Sequence, residues 1–138
     1  MKKFILFSLL LLCVPLSSFA NDIIGEWQTY TEDGKNYITF KSDGSVELQY
    51  ASMWGYHNVS YGKYSKSGNK VTLSLTEEVV VYEGEPGPTN DINITLEFSI
   101  SFDGNNLVLT PKNLNDKTKK FLKNNYDVVP TSIKYKKI

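Results

Sequence analysis

The chain has 138 residues, with 15 Lys and Arg against 15 Asp and Glu, one His and one Cys. This length fits one domain, and 41% hydrophobic with 13% aromatic residues is enough to build a core. Balanced charge gives no indication of nucleic-acid binding. The single Cys excludes a disulfide framework, and the single His excludes a multi-His zinc site.

The first twenty residues have the pattern of a secretory signal peptide. Lys2 and Lys3 form a basic start, residues 4–16 are almost entirely apolar, and Ser18 and Ala20 are small residues where signal peptidase cleaves. The apolar stretch is too short for a comfortable membrane span. We therefore expect an exported protein, periplasmic or secreted.

Cleavage after Ala20 would leave a mature domain of residues 21–138 and would remove Cys13. The alternative is a lipoprotein acylated at Cys13. A lipobox has a small residue directly before the Cys, and here that residue is Leu12. We therefore favour the cleaved form.

The charges of the mature chain are divided unevenly. Residues 21–111 carry 5 Lys and 13 acidic residues, a net −8, whereas residues 112–138 carry 8 Lys and 2 acidic residues, a net +6. The favoured interpretation is that the basic segment folds back on an acidic barrel. The alternative is contact of this Lys-rich segment with a membrane surface or an anionic polysaccharide. The absence of Arg, the better bidentate partner for phosphate, disfavours that alternative.

Apolar and polar residues alternate with a period of two, which predicts half-buried β-strands. The clearest run extends from Ile92 to Phe102. Gly-containing turns such as Asp43-Gly44 and Asp103-Gly104 separate the runs and predict antiparallel hairpins. The predicted strands are roughly 23–31, 36–42, 45–52, 58–65, 71–77, 78–84, 91–102 and 107–111.

Three further features complete the predicted architecture. Residues 85–90 contain two prolines and are expected to form a connection rather than a strand. A short helix is expected over 115–124, capped by Asn115 or Asp116, and a last strand near 131–137. Together these features predict an all-β, eight-stranded antiparallel up-and-down barrel with a short C-terminal helix and a final strand, since closure removes exposed edges. An open two-sheet sandwich is the alternative.

The Gly25-Glu26-Trp27 motif near the start of the mature chain resembles the Gly-x-Trp opening of lipocalins and their small bacterial lipocalin-like (calycin-type) relatives. In that family the Trp packs across one end of the barrel, so the resemblance implies structural roles for Gly25 and Trp27. The chain is shorter than true lipocalins. It also lacks the Arg that covers this Trp in many members.

Large side chains dominate the positions that alternation assigns to the barrel interior, so the interior is expected to be largely filled. Any pocket should be small and lie near Gly62 or at the open mouth. The expected inward residues are Trp27, Ile38, Phe40, Val46, Leu48, Tyr50, Tyr64, Val71, Leu73, Leu75, Ile92, Ile94, Leu96, Phe98, Ile100, Leu107 and Leu109.

The candidate binding site is the connection at 52–57, which gathers four large side chains: Met53, Trp54, Tyr56 and His57. Trp and Tyr are enriched at interaction hot spots, so these residues are predicted to grip a ligand or contact a partner. The alternative is that the loop covers the barrel and Trp54 plugs it.

Signs of catalysis are absent from the sequence. His57 is the only His, no Cys survives processing, and no nucleophile elbow, phosphate loop or dinucleotide fingerprint occurs. We therefore expect no enzyme activity, cofactor or metal. Two functions remain: a carrier of a small apolar molecule at the barrel mouth, or a protein-binding module such as an inhibitor or accessory factor of a secreted or envelope enzyme.

The predicted signal peptide leads to the first testable prediction. The exported protein should begin at Asn21, and N-terminal sequencing of the extracytoplasmic fraction would detect this end. Recovery of a lipid-modified Cys13 at the N-terminus would contradict it.

Overall fold

The computed structural model describes residues 23–32, 34–51 and 56–138. Within them, eight antiparallel strands form a closed barrel in sequential order, which confirms the predicted fold class. One helix lies between the last two strands. The elements are β1 (Gly25–Thr31), β2 (Gly34–Phe40), β3 (Ser45–Ala51), β4 (Tyr56–Ser67), β5 (Lys70–Tyr82), β6 (Glu85–Asp103), β7 (Asn106–Lys112), α1 (Asp116–Tyr126) and β8 (Ile133–Lys137). The predicted signal peptide, Cys13 and Asn21 lie outside the described residues.

The barrel interior is filled by the side chains that the alternation predicted. Every expected inward residue is buried except Tyr64 and Ile92, which are partly buried and pack against the core. Phe102, at the end of the longest alternating run, is 45% exposed because the run extends past the core at its hairpin. Burial of large aliphatic and aromatic side chains is the main stabilising contribution in such a barrel.

The strand count differs from the prediction in detail. Residues 71–77 and 78–84 do not form separate strands, because β5 runs from Lys70 to Tyr82 and passes Glu77 with an irregularity rather than a turn. The eighth strand of the barrel is instead β8, which follows the helix and pairs with both β7 and β1.

The prediction that residues 85–90 form a connection was wrong. This segment is the first part of β6, with Pro86 opposite Val81 of β5. Proline is tolerated here because β6 pairs with β7 only from Glu97 onward, so the segment has a strand neighbour on one side only.

Trp27 is buried at one end of the barrel, which is consistent with the structural role that the lipocalin resemblance implies. Its side chain is 3% exposed, and its Nε1 donates a hydrogen bond to the Ile23 carbonyl at 2.9 Å. The Lys137 ammonium lies 4.5 Å from the ring centroid, so a lysine covers this Trp in a chain that has no Arg. Gly25 has a φ of +131°, and a Cβ there would lie against the Lys137 side chain.

Helix α1 closes the opposite end. Asn115, one of the two predicted caps, caps its first turn through a reciprocal pair of hydrogen bonds with Thr118. Phe121 and Leu122 are buried against the core. The buried Asn36 of β2 links helix and barrel, since its amide donates to the carbonyl of Asn125 and accepts from a backbone N–H of β3.

The basic C-terminal segment is part of the barrel itself, because it supplies α1 and β8. Lys134 pairs with Asp103 at 2.6 Å. An exposed pair of this kind contributes little stability, so the segment is held mainly by Phe121, Leu122 and the inward residues of β8. This arrangement agrees with the interpretation that the basic segment folds back on an acidic barrel.

Truncating Trp27 should destabilise the fold strongly. Trp27→Ala is expected to lower the free energy of unfolding by ~3–5 kcal/mol, because it removes a large aromatic group from a packed site. Urea denaturation would measure the change. The matched control is Tyr30→Ala on the same strand, where the side chain is 68% exposed and the loss should stay within about 0.5 kcal/mol. A loss below about 1 kcal/mol for Trp27→Ala would contradict the structural role of this Trp.

Candidate functional site

The predicted site residues fall partly within the described structure. Met53 and Trp54 lie outside the described residues. Tyr56 and His57 do not belong to a loop, because β4 already begins at Tyr56. Tyr56 is 45% exposed and packs against Tyr82, with ring centroids 4.3 Å apart. His57 is half-buried and lies opposite Ala51.

These two residues sit on what we call the β4–β6 rim, formed by residues 56–61 of β4, 77–82 of β5 and 85–91 of β6. The three segments pair with one another at the end of the barrel that carries α1. Neighbours along a strand face opposite sides, so Tyr56 and His57 occupy opposite faces of the rim.

A β-bulge between β4 and β5 determines which rim residues face inward. Gly62 lies opposite Leu75, but Tyr61 lies opposite Glu77, so Thr76 has no partner on β4. The extra residue reverses the alternation along β5. Residues 71, 73 and 75 are buried before the bulge, whereas 78, 80 and 82 share the inner face after it.

Gly62 is required at this bulge by close backbone approach. A Cβ at this position would lie 1.9 Å from the Ser74 carbonyl oxygen and 2.8 Å from the Leu75 Cα. The expected pocket beside Gly62 is therefore not formed there, because the backbone of β5 occupies the space.

The bulge places the Glu78 carboxylate on the inner face of the rim, beside the hydroxyl of Ser60 on β4 and near that of Tyr50 on β3. Glu78 lies opposite Ser60, and Asn58 lies opposite Tyr50. We call these four residues the inner polar cluster. Alternation alone does not determine which of residues 78–82 face inward, because their parity depends on a bulge that has no clear signal in the sequence.

Two hydroxyls of the inner polar cluster are buried without a hydrogen bond. Ser60 is fully buried, and neither its Oγ nor Tyr50 Oη has a hydrogen-bonding partner. Tyr50 lies near Tyr126, and each side chain affects the pKa of the other. Burial raises the pKa of Tyr50 well above its usual value, and the nearby Tyr126 and the Glu78 carboxylate raise it further.

Tyr126 and Tyr135 continue this polar region beneath α1. Their hydroxyl oxygens lie 2.5 Å apart. The Tyr126 residue retains some exposure, but its hydroxyl end lies among buried side chains, and burial raises its pKa to about 12. Burial likewise raises the pKa of Tyr135 well above the ordinary tyrosine value. Three tyrosines therefore strongly favour the neutral form inside one end of the barrel.

The inner polar cluster offers hydroxyl, amide and carboxylate groups for hydrogen bonds, and the rim offers the rings of Tyr56 and Tyr82 for aromatic contact. Within residues 23–32, 34–51 and 56–138, His, Cys, Asp and Glu form no group of three or more that could hold a metal ion. An open cleft of about 470 Å³ lies on the outside of the barrel between β1 and residues 126–134.

Comparison with protein-family models, curated proteins and solved structures finds no match to this chain. The closed eight-stranded antiparallel barrel is compatible with a lipocalin-like fold. In the described part of the chain, the helix is too short and too polar to cross a lipid bilayer.

The buried tyrosines predict a loss of stability at alkaline pH. Burial raises the pKa of these tyrosines in the folded protein above the unfolded value of about 10. Below about pH 10 they are neutral in both states, so the free energy of unfolding keeps its full value. As the pH rises from about 10 towards 12, only the unfolded state releases the protons, and the free energy of unfolding falls. For Tyr126 the loss should be roughly 1–3 kcal/mol, measured by urea denaturation between pH 8 and pH 12.

Tyr126→Phe should reduce this alkaline loss and leave the part due to Tyr50 and Tyr135, whereas Tyr30→Phe, at an exposed position, should leave the loss unchanged. Absorbance at 295 nm should show a group of tyrosines that ionise only as the protein unfolds. Titration of all nine tyrosines near pH 10 in the folded protein would contradict the burial argument.

Proposed function

We propose that this chain is an exported, non-enzymatic, lipocalin-like binding protein that contacts another protein through its β4–β6 rim. An inhibitor or accessory factor of a secreted or envelope enzyme fits this description. The observation that carries the proposal is the exposed aromatic pair of Tyr56 and Tyr82, held by strand pairing at the rim.

The filled interior favours a protein partner over an internal apolar ligand. The inward positions carry large side chains that are already buried against one another. Trp27 occupies one end, and α1 packs across the other. A ligand inside the barrel would have to displace these side chains, and closely packed cores resist such displacement.

The rim is suited to contact through side chains. Tyr56 and Tyr82 are 45% and 43% exposed, and tyrosine is among the residues most enriched at hot spots. The edge of the rim carries Pro86 and Pro88, which lack backbone N–H groups and so oppose addition of a further strand. A partner would therefore recognise the aromatic side chains rather than extend the sheet.

A small apolar molecule at the barrel mouth is the second candidate. The inner face of the rim supports it, since Tyr56, Tyr82 and the half-buried Val80 lie side by side there. Such a ligand would rest on the rim without entering the core, and the predicted contribution of Met53 and Trp54 applies equally to both candidates.

Native mass spectrometry of the exported protein separates the two candidates. We expect a stoichiometric complex with one protein, which is then purified for affinity measurements. Tyr56→Ala and Tyr82→Ala should each weaken that complex by roughly thirtyfold, the effect of losing a hot spot of about 2 kcal/mol.

The control variant is Tyr30→Ala, which removes a more exposed tyrosine from β1, a strand that pairs with none of the three rim strands, and should leave affinity unchanged. A bound small molecule in place of a protein would favour the second candidate. Unchanged affinity in both rim variants would overturn the proposed surface.

A further inference from the structure

We propose that the inner polar cluster of Tyr50, Asn58, Ser60 and Glu78 binds an alkylammonium group. The group could belong to a lysine side chain of a partner protein or to a free primary amine. The inference deepens the proposed function, because Asn58, Ser60 and Glu78 lie on the inner face of the same rim with Tyr50 beside them, but free amines test it independently.

The cluster consists of neighbouring residues on one face of three strands. Ser60 and Glu78 are direct cross-strand neighbours, as are Tyr50 and Asn58, and such pairs have Cβ atoms about 4.5–5.5 Å apart. Ser60 and Asn58 are two residues apart on β4, so their side chains lie on the same face. The Glu78 carboxylate is close enough to Tyr50 to influence the pKa of its hydroxyl.

The two unpaired hydroxyls indicate that the site is incomplete. Buried polar side chains are paired in the great majority of cases, and each buried group left without a partner costs about 1–3 kcal/mol. Ser60 Oγ and Tyr50 Oη are both buried and both lack a partner. A group that supplied hydrogen bonds here would recover part of this cost on binding.

The chemistry of the cluster selects a cationic donor. An ionised carboxylate only accepts hydrogen bonds, whereas hydroxyl and amide oxygens can accept them. An ammonium group carries three donors and no acceptor, so it could bond Glu78 and two of the neutral oxygens together. An anion would be repelled by Glu78, and an apolar group would leave the hydroxyls unpaired.

Glu78 is also available to a cation. Among the residues that the structure describes, it takes part in no ion pair. It is half-buried, so part of the residue remains accessible to solvent.

The aromatic residues of the rim suit the rest of the ligand. Tyr82 and Tyr56 follow Glu78 and Ser60 outward along the same inner face, with Val80 and Asn58 between them. An alkyl chain leading to the ammonium group would pass these side chains, and tyrosine rings attract both apolar chains and cations.

Titration with n-butylamine at pH 7 tests the proposal, because the amine is then protonated. Two-dimensional NMR of the exported protein should show saturable shifts at Ser60 and Tyr50. Butanol and butyrate at the same concentrations should cause much smaller shifts, since one lacks the charge and the other reverses it.

Glu78→Gln should weaken butylamine binding at least tenfold, and Ser60→Ala should weaken it severalfold. The matched control is Glu77→Gln, which changes the adjacent carboxylate on the opposite face and should leave binding unchanged. Thermal unfolding of each variant checks that the fold is retained. Equal binding in Glu78→Gln and in the unchanged protein, or equal binding of butanol and butylamine, would overturn the ammonium site.

A second experiment separates this inference from the proposed function. Reductive methylation or acetylation of the lysines of a purified partner should distinguish a lysine side chain from a free amine as the source, with acetylation abolishing the contact. Loss of partner binding in Tyr56→Ala but not in Glu78→Gln would refute the ammonium site and leave the rim surface standing. Amine binding that depends on Glu78, found together with the absence of any protein partner, would support the ammonium site and overturn the rim as a protein-binding surface.

Discussion

Closure of the barrel by β8 is the constraint on which the rest of the structure depends. This strand has five residues, yet it pairs with β7 through Leu107–Leu109 and with β1 through Trp27 and Gln28. Without it, β1 and β7 would both present open edges, which promote aggregation. Helix α1 connects β7 to β8, and β8 then pairs with β1. The last strand therefore holds the first strand in place.

The same closure explains how the two ends of the barrel are filled. Lys137 at the end of β8 lies over Trp27, and Tyr135 in the middle of β8 meets Tyr126 of α1. Each end is thus completed by a residue of the last strand. A barrel built in this way has little room for an internal ligand, which favours the proposal that recognition takes place at its rim.

The β-bulge at Thr76 places a carboxylate at the edge of this apolar interior. It reverses the alternation along β5 and places Glu78 beside Ser60, just above the core. Unsatisfied hydroxyls at such a place lower stability, and natural proteins tend to keep departures of this kind at functional sites. The inner polar cluster and the exposed Tyr56 and Tyr82 lie on the same inner face. The polar residues are nearer the core, and the two tyrosines are nearer the end of the barrel.

The period-two pattern by itself determined the all-β class, the filled core and the inward residues of the strands, because burial of one strand face is a local property of the sequence. Asn115 likewise marked the start of α1, since capping uses only neighbouring residues. The Gly25-Glu26-Trp27 motif pointed to Trp27 as a structural residue. Its burial agrees with that role.

Only the tertiary structure decided the features that depend on pairing between distant segments. Residues 85–90 became a strand despite two prolines because their neighbour on one side is absent. Glu78 turned inward because Gly62 lets the backbone of β5 approach closely enough to form a bulge. The buried Asn36 gained its partners from β3 and α1. In each case the deciding neighbour lies on another strand or on the helix, so no local pattern in the sequence could reveal it.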